Sequence, residues 1–174
     1  LFGKYYTQHT QNHLRKMTTD KKRLYLDDVR TPHAEDWVVV RNYDQFVSCV
    51  RLYGLNNFEV ISLDHDLGDS AMVEYYNNVK DNYILNYDNI VNEKTGLDCC
   101  KFLVNESIEK NTPLPTIYVH SANPIGSHNM MGYINNYLKN CHLEQSCIRV
   151  EIKHTVDESF MLSPEARRAK WKRP

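Results

Sequence analysis

The sequence predicts an α/β fold built on a mostly parallel central sheet. Short runs of apolar and β-branched residues alternate with segments that space apolar side chains as a helix does, and no internal repeat interrupts them. Three of the short runs end directly in polar clusters. Because crossovers between parallel strands are right-handed, we expect five parallel strands, with runs 23–26, 58–63 and 115–119 adjacent at the centre.

The first half of the chain supplies three predicted strands and one helix. Residues 23–26 and 37–42 are rich in the side chains that favour strands. The second of these strands leads into a helix that we expect Asp44 to cap and Gly54 to end. Residues 58–63, with the sequence FEVISL, form a third strand that is apolar enough to be buried.

A segment without a clean period separates the two halves. Residues 69–93 are rich in Asn, Tyr and Asp, and we interpret them as an insertion that could serve as a lid. Helical spacing of apolar side chains returns after it. The remaining predicted elements are a helix over 95–110, a strand over 115–119, a helix over 127–140 and a last strand over 147–152.

Length and charge favour one domain with an extension at each end. We expect an N-terminal extension over 1–21, the α/β domain over 22–155 and a basic C-terminal tail over 156–174. The net charge of -1 gives no global field that would favour nucleic acid or a membrane. The basic side chains near both ends are either two solvated tails or an electrostatic collar for an anionic ligand.

Cysteine usage and hydropathy indicate the compartment. The five cysteines are odd in number and none has CxxC spacing, so neither a disulfide framework nor a zinc site is predicted. No run is long enough to span a membrane, and the N-terminus lacks the apolar centre of a signal peptide. We therefore expect the chain to work in a reducing cytoplasm, away from membranes.

Polar side chains follow three of the predicted strands at the point where each strand ends. Any one cluster is compatible with a capping turn, because Asp, Asn and Ser favour turns. The carboxyl ends of parallel strands share one edge, however, and ligands of such folds bind just outside it. The clusters that we expect to face one crevice are Asp27-Asp28-Val29-Arg30, Asp64-His65-Asp66 and His120-Ser121-Ala122-Asn123.

The acids and the arginine of this crevice predict a phosphate site, with a metal ion as a further option. Carboxylates are hard ligands suited to Mg²⁺ or Mn²⁺, and Arg30 can bind phosphate through its planar donors. The loop SANPIGS adds backbone N–H groups at the start of a helix, where anions bind. The predicted metal ligands are Asp27, Asp28 and Asp64, and the predicted substrate-binding residues are Arg30, Ser121, Asn123, Gly126 and Ser127.

Two histidines at different strand ends could act as general acid and general base on a phosphodiester. Asp64 and Asp66 would hold His65 in one tautomer and favour its charged form, unless a metal takes their charge. The predicted catalytic set is therefore His65, His120, Asp64 and Asp66. Each histidine alone is equally compatible with a hydrogen-bonded loop residue.

Four blocks of the sequence resemble the cyclic-phosphate-processing receiver-like domains, relatives of response-regulator receiver domains found in bacteria and their phages. The blocks are LYLDDVRTP, VISLDHDLG, TGLDCCKFL and IYVHSANPIGSHNM. The resemblance implies a three-layer flavodoxin-like fold and a phosphodiesterase-type hydrolase of cyclic phosphates on nucleotides, cyclic oligonucleotide signals or RNA ends. In a phage it implies a counter-defence or signal-degrading protein of the host cytoplasm. The implied site is Asp27, Asp28, Arg30, Asp64, His65, Asp66, His120, Ser121 and Asn123.

The insertion and the basic tail depart from the family pattern, because the insertion is longer than usual and the tail lies outside the resemblance. Two alternatives to hydrolysis stay open. A phosphoacceptor domain would use Asp64 with Ser121 and Lys153, but it would leave both histidines without a role. A protein that sequesters a cyclic nucleotide would use the same anion site. The identity of the cyclic phosphate, the need for a metal and the oligomeric state also stay open.

Overall fold

In the part of the chain that the structure describes, five parallel strands form one sheet. The computed structural model of the chain describes residues 21–141 and 153–154. The strands are β1 Lys22–Leu26, β2 Trp37–Val40, β3 Phe58–Leu63, β4 Thr116–Val119 and β5 Lys153–His154. They pair in parallel in the order β2-β1-β3-β4-β5, which is the order of flavodoxin-like sheets. The predicted α/β fold, with three adjacent central strands, is confirmed.

Among the described residues, four α-helices of six or more residues lie between or after the strands. They are α1 Tyr43–Tyr53, α2 Asp69–Glu74, α3 Gly96–Lys110 and α4 Pro124–Asn140. Helix α3 begins with a capping box, in which Thr95 and Asp98 satisfy each other's backbone N–H groups. It ends at Asn111, whose left-handed backbone (φ 48°) stops the helix as asparagine often does.

Two predicted helix starts were displaced. Asn42, not Asp44, caps α1, because its extended backbone lets its side chain accept the Gln45 N–H at 3.0 Å. Asp44 lies in the first turn, where a negative charge complements the helix dipole. Helix α4 begins at Pro124, three residues before the predicted start, because proline suits the first helical position.

The hydrophobic core lies on one face of the sheet. Alternate residues of each strand point to the same face, so Leu24 and Leu26 of β1 are fully buried together with their neighbours on β3 and β4. The long helices bury their apolar stripes against this face. The helix residues in this core include Phe46, Leu103, Met130 and Ile134.

Two carboxylates organise the insertion over 69–93. Glu74 is 2 % exposed and accepts hydrogen bonds from Asn86 N–H and from the side chains of Asn78 and Asn89. Burial would raise the pKa of Glu74, but these three bonds outweigh it and lower that pKa. Glu93 accepts the Ala71 N–H at 2.6 Å and so holds the start of α2. The insertion therefore has a defined structure, although its sequence showed no period.

Some predicted segments lie outside the described residues. These are the strand over 147–152, the basic tail over 156–174 and nearly all of the extension over 1–21. The last described strand, β5, begins at Lys153, directly after the end of the strand predicted over 147–152. It pairs in parallel with β4. In the described part of the chain, no helix combines the length and apolar character that a membrane span requires.

Candidate functional site

The backbone brings the three predicted clusters together. The ladder of the sheet continues one residue past the strands, because Asp27 N–H bonds to Val40, Asp64 N–H to Leu26 and His120 N–H to Leu63. These bonds are 2.9 to 3.2 Å long and place the three residues side by side at the carboxyl edge. The common register of the parallel strands therefore assembles the crevice that the sequence predicted.

Asp27 is the most heavily bonded acid of this edge. Its side chain is fully buried and accepts bonds from the backbone of Val29 and Arg30, from the Arg30 guanidinium and, at 3.3 Å, from His120 Nε2. Burial would raise the pKa of Asp27, but His120 and Arg30 outweigh it and hold that pKa well below its usual range. Asp27 is therefore ionised at any physiological pH.

Arg30 is the cation that neutralises the crowded acids. Its guanidinium pairs with Asp27 and, at 2.7 Å, with Asp64, while its side chain is only 13 % exposed. Burial alone would lower the pKa of Arg30, but the two carboxylates raise it. A guanidinium has five N–H donors in a fixed plane, so one that holds two carboxylates can still donate to a phosphate oxygen.

Arg41 supports the ion pairs of Arg30, and it was not identified from the sequence. It extends from the end of β2 and donates to the carbonyl of Asp27 at 2.9 Å, to the carbonyl of Arg30 and to Thr31 Oγ1 at 2.7 Å. It thereby fixes the loop that carries Arg30. No local signal marked Arg41, because its role depends on the pairing of β2 with β1.

His65 is buried with both ring nitrogens engaged. Its Nδ1 lies 2.7 Å from Asp66 Oδ1, and its Nε2 lies 3.1 Å from the hydroxyl of Tyr87 in the insertion. A Cβ atom on Gly126 would lie 2.3 Å from the ring, so glycine is needed where α4 passes His65. The predicted contact between His65 and Asp66 is thus present, and Tyr87 is an unpredicted partner.

His120 lies against the opposite face of the sheet. Its ring stacks on Tyr25 at 4.4 Å between centroids, and its Nδ1 lies 2.7 Å from Ser62 Oγ. Both partners alternate with the core residues of their strands and so point away from the core. Neither partner was predicted, because an inward-facing and an outward-facing strand residue look alike until the register is known.

The loop before α4 is closed by its own hydrogen bonds. Asn123 Oδ1 accepts the Gly126 N–H at 2.9 Å, and Asn123 Nδ2 donates to Asp66 Oδ1 at 3.2 Å. Ser121 Oγ accepts the Asn123 N–H at 3.2 Å, and the Ser127 N–H bonds to the Asn123 carbonyl. Asn123 thus ties the helix start to the partner of His65. Substrate binding by Ser121, Gly126 and Ser127 stays a prediction, since their described bonds are internal.

Asp27, Asp28 and Asp64 could together hold a cation. One carboxylate oxygen from each lies within 4.8 Å of the other two. Three such oxygens suit Mg²⁺ or Mn²⁺ by chemistry. The ion would have to share Asp27 and Asp64 with Arg30, which already pairs with both. Metal binding therefore stays a prediction for which the donor atoms are correctly grouped.

Three of the described cysteines are buried thiols of the core. Cys49, Cys99 and Cys100 are buried, and burial raises the pKa of each thiol.

Comparison with known proteins finds one family. The sequence model of a family described as "Cyclic-phosphate processing Receiver domain" matches residues 22–136, which include β1 through most of α4. No curated protein and no solved structure matches the chain. The matched range contains every residue of the site described above.

Proposed function

Because the chain belongs to the cyclic-phosphate processing receiver domain family, we propose that it hydrolyses a cyclic phosphodiester to a phosphomonoester. The substrate class would be cyclic nucleotides, cyclic oligonucleotide signals or RNA ends with a cyclic phosphate. Such an activity would remove a signal from the cytoplasm, and in a phage-encoded protein it would serve counter-defence.

One observation carries the proposal: each of the two histidines is paired through a ring nitrogen with an aspartate at the same sheet edge. His65 pairs with Asp66 and His120 with Asp27. They approach the edge from different sides, because His120 lies over the face of Tyr25 while His65 lies beside α4. Two acid/base groups on different sides suit a phosphodiester, whose attacking and leaving oxygens are on opposite sides of phosphorus.

In the proposed step, a water oxygen forms a bond to phosphorus while the P–O bond of the ring breaks. His65 takes a proton from the water, and His120 gives a proton to the leaving oxygen. Asp66, bonded to Nδ1 of His65, leaves Nε2 as the accepting nitrogen.

Arg30 would hold the phosphate between the histidines. It is fixed by two carboxylates and by the loop that Arg41 anchors, so little side-chain entropy remains to be lost when it binds an anion. Its charge would stabilise the phosphate oxygens as negative charge builds on them.

The test is turnover of a defined panel. The full chain is incubated with 3′,5′-cyclic AMP, 2′,3′-cyclic AMP, cyclic di-GMP, a cyclic trinucleotide and an RNA with a 2′,3′-cyclic phosphate end, with and without EDTA. We expect a linear phosphomonoester from at least one of them by chromatography. Binding without any product would favour a sequestering protein. Acetyl-phosphate labelling that Asp64→Asn abolishes would instead favour a phosphoacceptor.

A further inference from the structure

The hydroxyl of Tyr87 lies between two elements of the site. It is 3.1 Å from Nε2 of His65 and 3.1 Å from Nδ2 of Asn129 on α4. Tyr87 belongs to a short 3₁₀ turn, Tyr87–Asn89, within the insertion. A residue outside the predicted clusters thus contacts the histidine of the central one.

The donors and acceptors around Tyr87 fit one direction of hydrogen bonding. A carboxylate only accepts, so Nδ1 of His65 carries the hydrogen that faces Asp66. Nε2 of the neutral ring is then an acceptor, and the Tyr87 hydroxyl donates to it. The Asn129 amide donates to the Tyr87 oxygen. Burial raises the pKa of Tyr87, which keeps the hydroxyl protonated and able to donate.

His65 has no exposed surface of its own. The residue is 0 % exposed, whereas Tyr87 is half-buried. On another side the ring touches Gly126 so closely that no side chain would fit between them. The nitrogen that could accept a proton faces Tyr87 rather than open solvent.

The insertion holds Tyr87 in place from both sides. Asn86 precedes the turn and Asn89 is its last residue. The carboxylate of Glu74 accepts the Asn86 N–H at 2.9 Å and a hydrogen bond from the Asn89 side chain at 2.8 Å. A buried, ionised group is costly unless its bonds are made, so this clamp gives the turn a fixed position. Its geometry sets the Tyr87 hydroxyl at hydrogen-bond distance from His65.

We propose that Tyr87 is a catalytic residue that relays a proton between the attacking water and His65, a role that rests on the proposed hydrolysis. The water gives its proton to the Tyr87 oxygen as Tyr87 gives its own to Nε2 of His65. The hydroxide bonds to phosphorus, the ring P–O bond breaks, and His120 protonates the leaving oxygen. The tyrosine ends neutral, and Asp66 stabilises the charge on His65.

The first test compares Tyr87→Phe with Tyr83→Phe on the panel substrate that the parent cleaves fastest. Tyr83 lies in the same insertion and is 66 % exposed, so its variant controls for loss of a tyrosine hydroxyl. We expect Tyr87→Phe to lower kcat by about 10²–10⁴-fold with KM nearly unchanged. Tyr83→Phe should keep the parent kcat. If Tyr87 only shapes the pocket, Tyr87→Phe should raise KM and leave kcat nearly unchanged, and that result would overturn the relay.

A double variant separates a relay from two independent contributions. If Tyr87 and His65 act as one unit, Tyr87→Phe combined with His65→Gln should be no slower than His65→Gln alone. Effects that multiply would overturn the relay. Circular dichroism of each variant checks that the fold is kept.

The outcomes distinguish the relay from the function on which it rests. If Tyr87→Phe works at the parent rate while His65→Gln does not, hydrolysis stands and the relay is wrong. If Tyr87→Phe is faster than the parent, Tyr87 obstructs the site and the relay is wrong. If the parent cleaves no member of the panel, the proposed hydrolysis fails and the relay fails with it.

Discussion

Arg30 and Asp64 form an ion pair with 2.7 Å between Nη2 and Oδ2, although they follow different strands of the sheet. Asp27 pairs with the same guanidinium, so one cation neutralises acids from two neighbouring strand ends. These ion pairs are largely removed from water. Removal of the Arg30 guanidinium would therefore leave two buried carboxylates without a cation.

We therefore expect Arg30→Met to destabilise the fold by about 3–5 kcal/mol. Arg23→Met is the matched control, because Arg23 is 40 % exposed and its partner Asp36, at 3.1 Å, is 59 % exposed. Exposed pairs contribute about 0–1 kcal/mol, so the control should lose little. Urea unfolding of both variants measures the difference. Equal losses would show that the Arg30 pairs contribute no more than a surface pair.

The histidine variants test the acid/base scheme. His65→Gln and His120→Gln should each lower kcat by about 10²–10⁴-fold, because each loses a proton-transfer group, while both stay folded and still bind substrate. His128→Gln is the control, since His128 is exposed on α4 and has no part in the scheme. Parent-like turnover by both site variants would refute the scheme.

Two glycines of α4 should respond oppositely to the same substitution. Gly126→Ala places a methyl group 2.3 Å from the His65 ring, so we expect a loss of stability of about 1–3 kcal/mol and a large loss of turnover. At Gly132 a Cβ atom meets nothing within 4 Å, and Gly132→Ala should stabilise the helix by about 0.5–1 kcal/mol. Thermal unfolding and turnover of the two variants check this. If Gly126→Ala keeps full activity, the His65 ring is not held as described.

The insertion should lose stability at acidic pH, because the Glu74 carboxylate becomes protonated there. The pKa of Glu74 is lowered in the folded state, so its stabilisation is fully present above its ordinary value of 4.5. That stabilisation is lost as the pH falls from there through the lower, folded value. Glu74→Gln lacks the second acceptor oxygen and the charge, so it should be less stable than the parent at neutral pH. The gap in unfolding free energy should shrink below about pH 4.5, and a constant gap would contradict it.

Metal binding is tested by calorimetry. We expect Mg²⁺ or Mn²⁺ to bind the full chain and Asp28→Asn to weaken that binding, because Asp28 supplies one of the three grouped oxygens. Asp88→Asn, which changes an exposed acid of the insertion, is the control. No heat of binding, together with full turnover in EDTA, would leave the three acids as partners of Arg30 and the histidines.

Much of the fold and the location of the site followed from the chain alone. Alternating apolar runs and helical stripes predicted parallel strands. The polar clusters after three of these strands predicted that the site lies at the carboxyl edge of the sheet. That reasoning works because strand periodicity and crossover handedness are local or general rules. The displaced cap of α1 shows the limit of such rules: Asn42 and Asp44 are both good caps, and only the backbone angles decide between them.

Tertiary structure alone decided which side chains became partners. Ser62 and His120 form a hydrogen bond although they are 58 residues apart in the sequence, and Tyr87 and His65 do so over 22 residues. Neither contact leaves a pattern in the sequence around it. Periodicity says which face a residue is on but not what lies opposite it. That depends on strand register and on how Glu74 folds an aperiodic segment onto the edge. The sequence by itself therefore determined that acids, an arginine and histidines share one edge. The pairing of strands and the fold of the insertion determined which hydrogen bonds each of them makes.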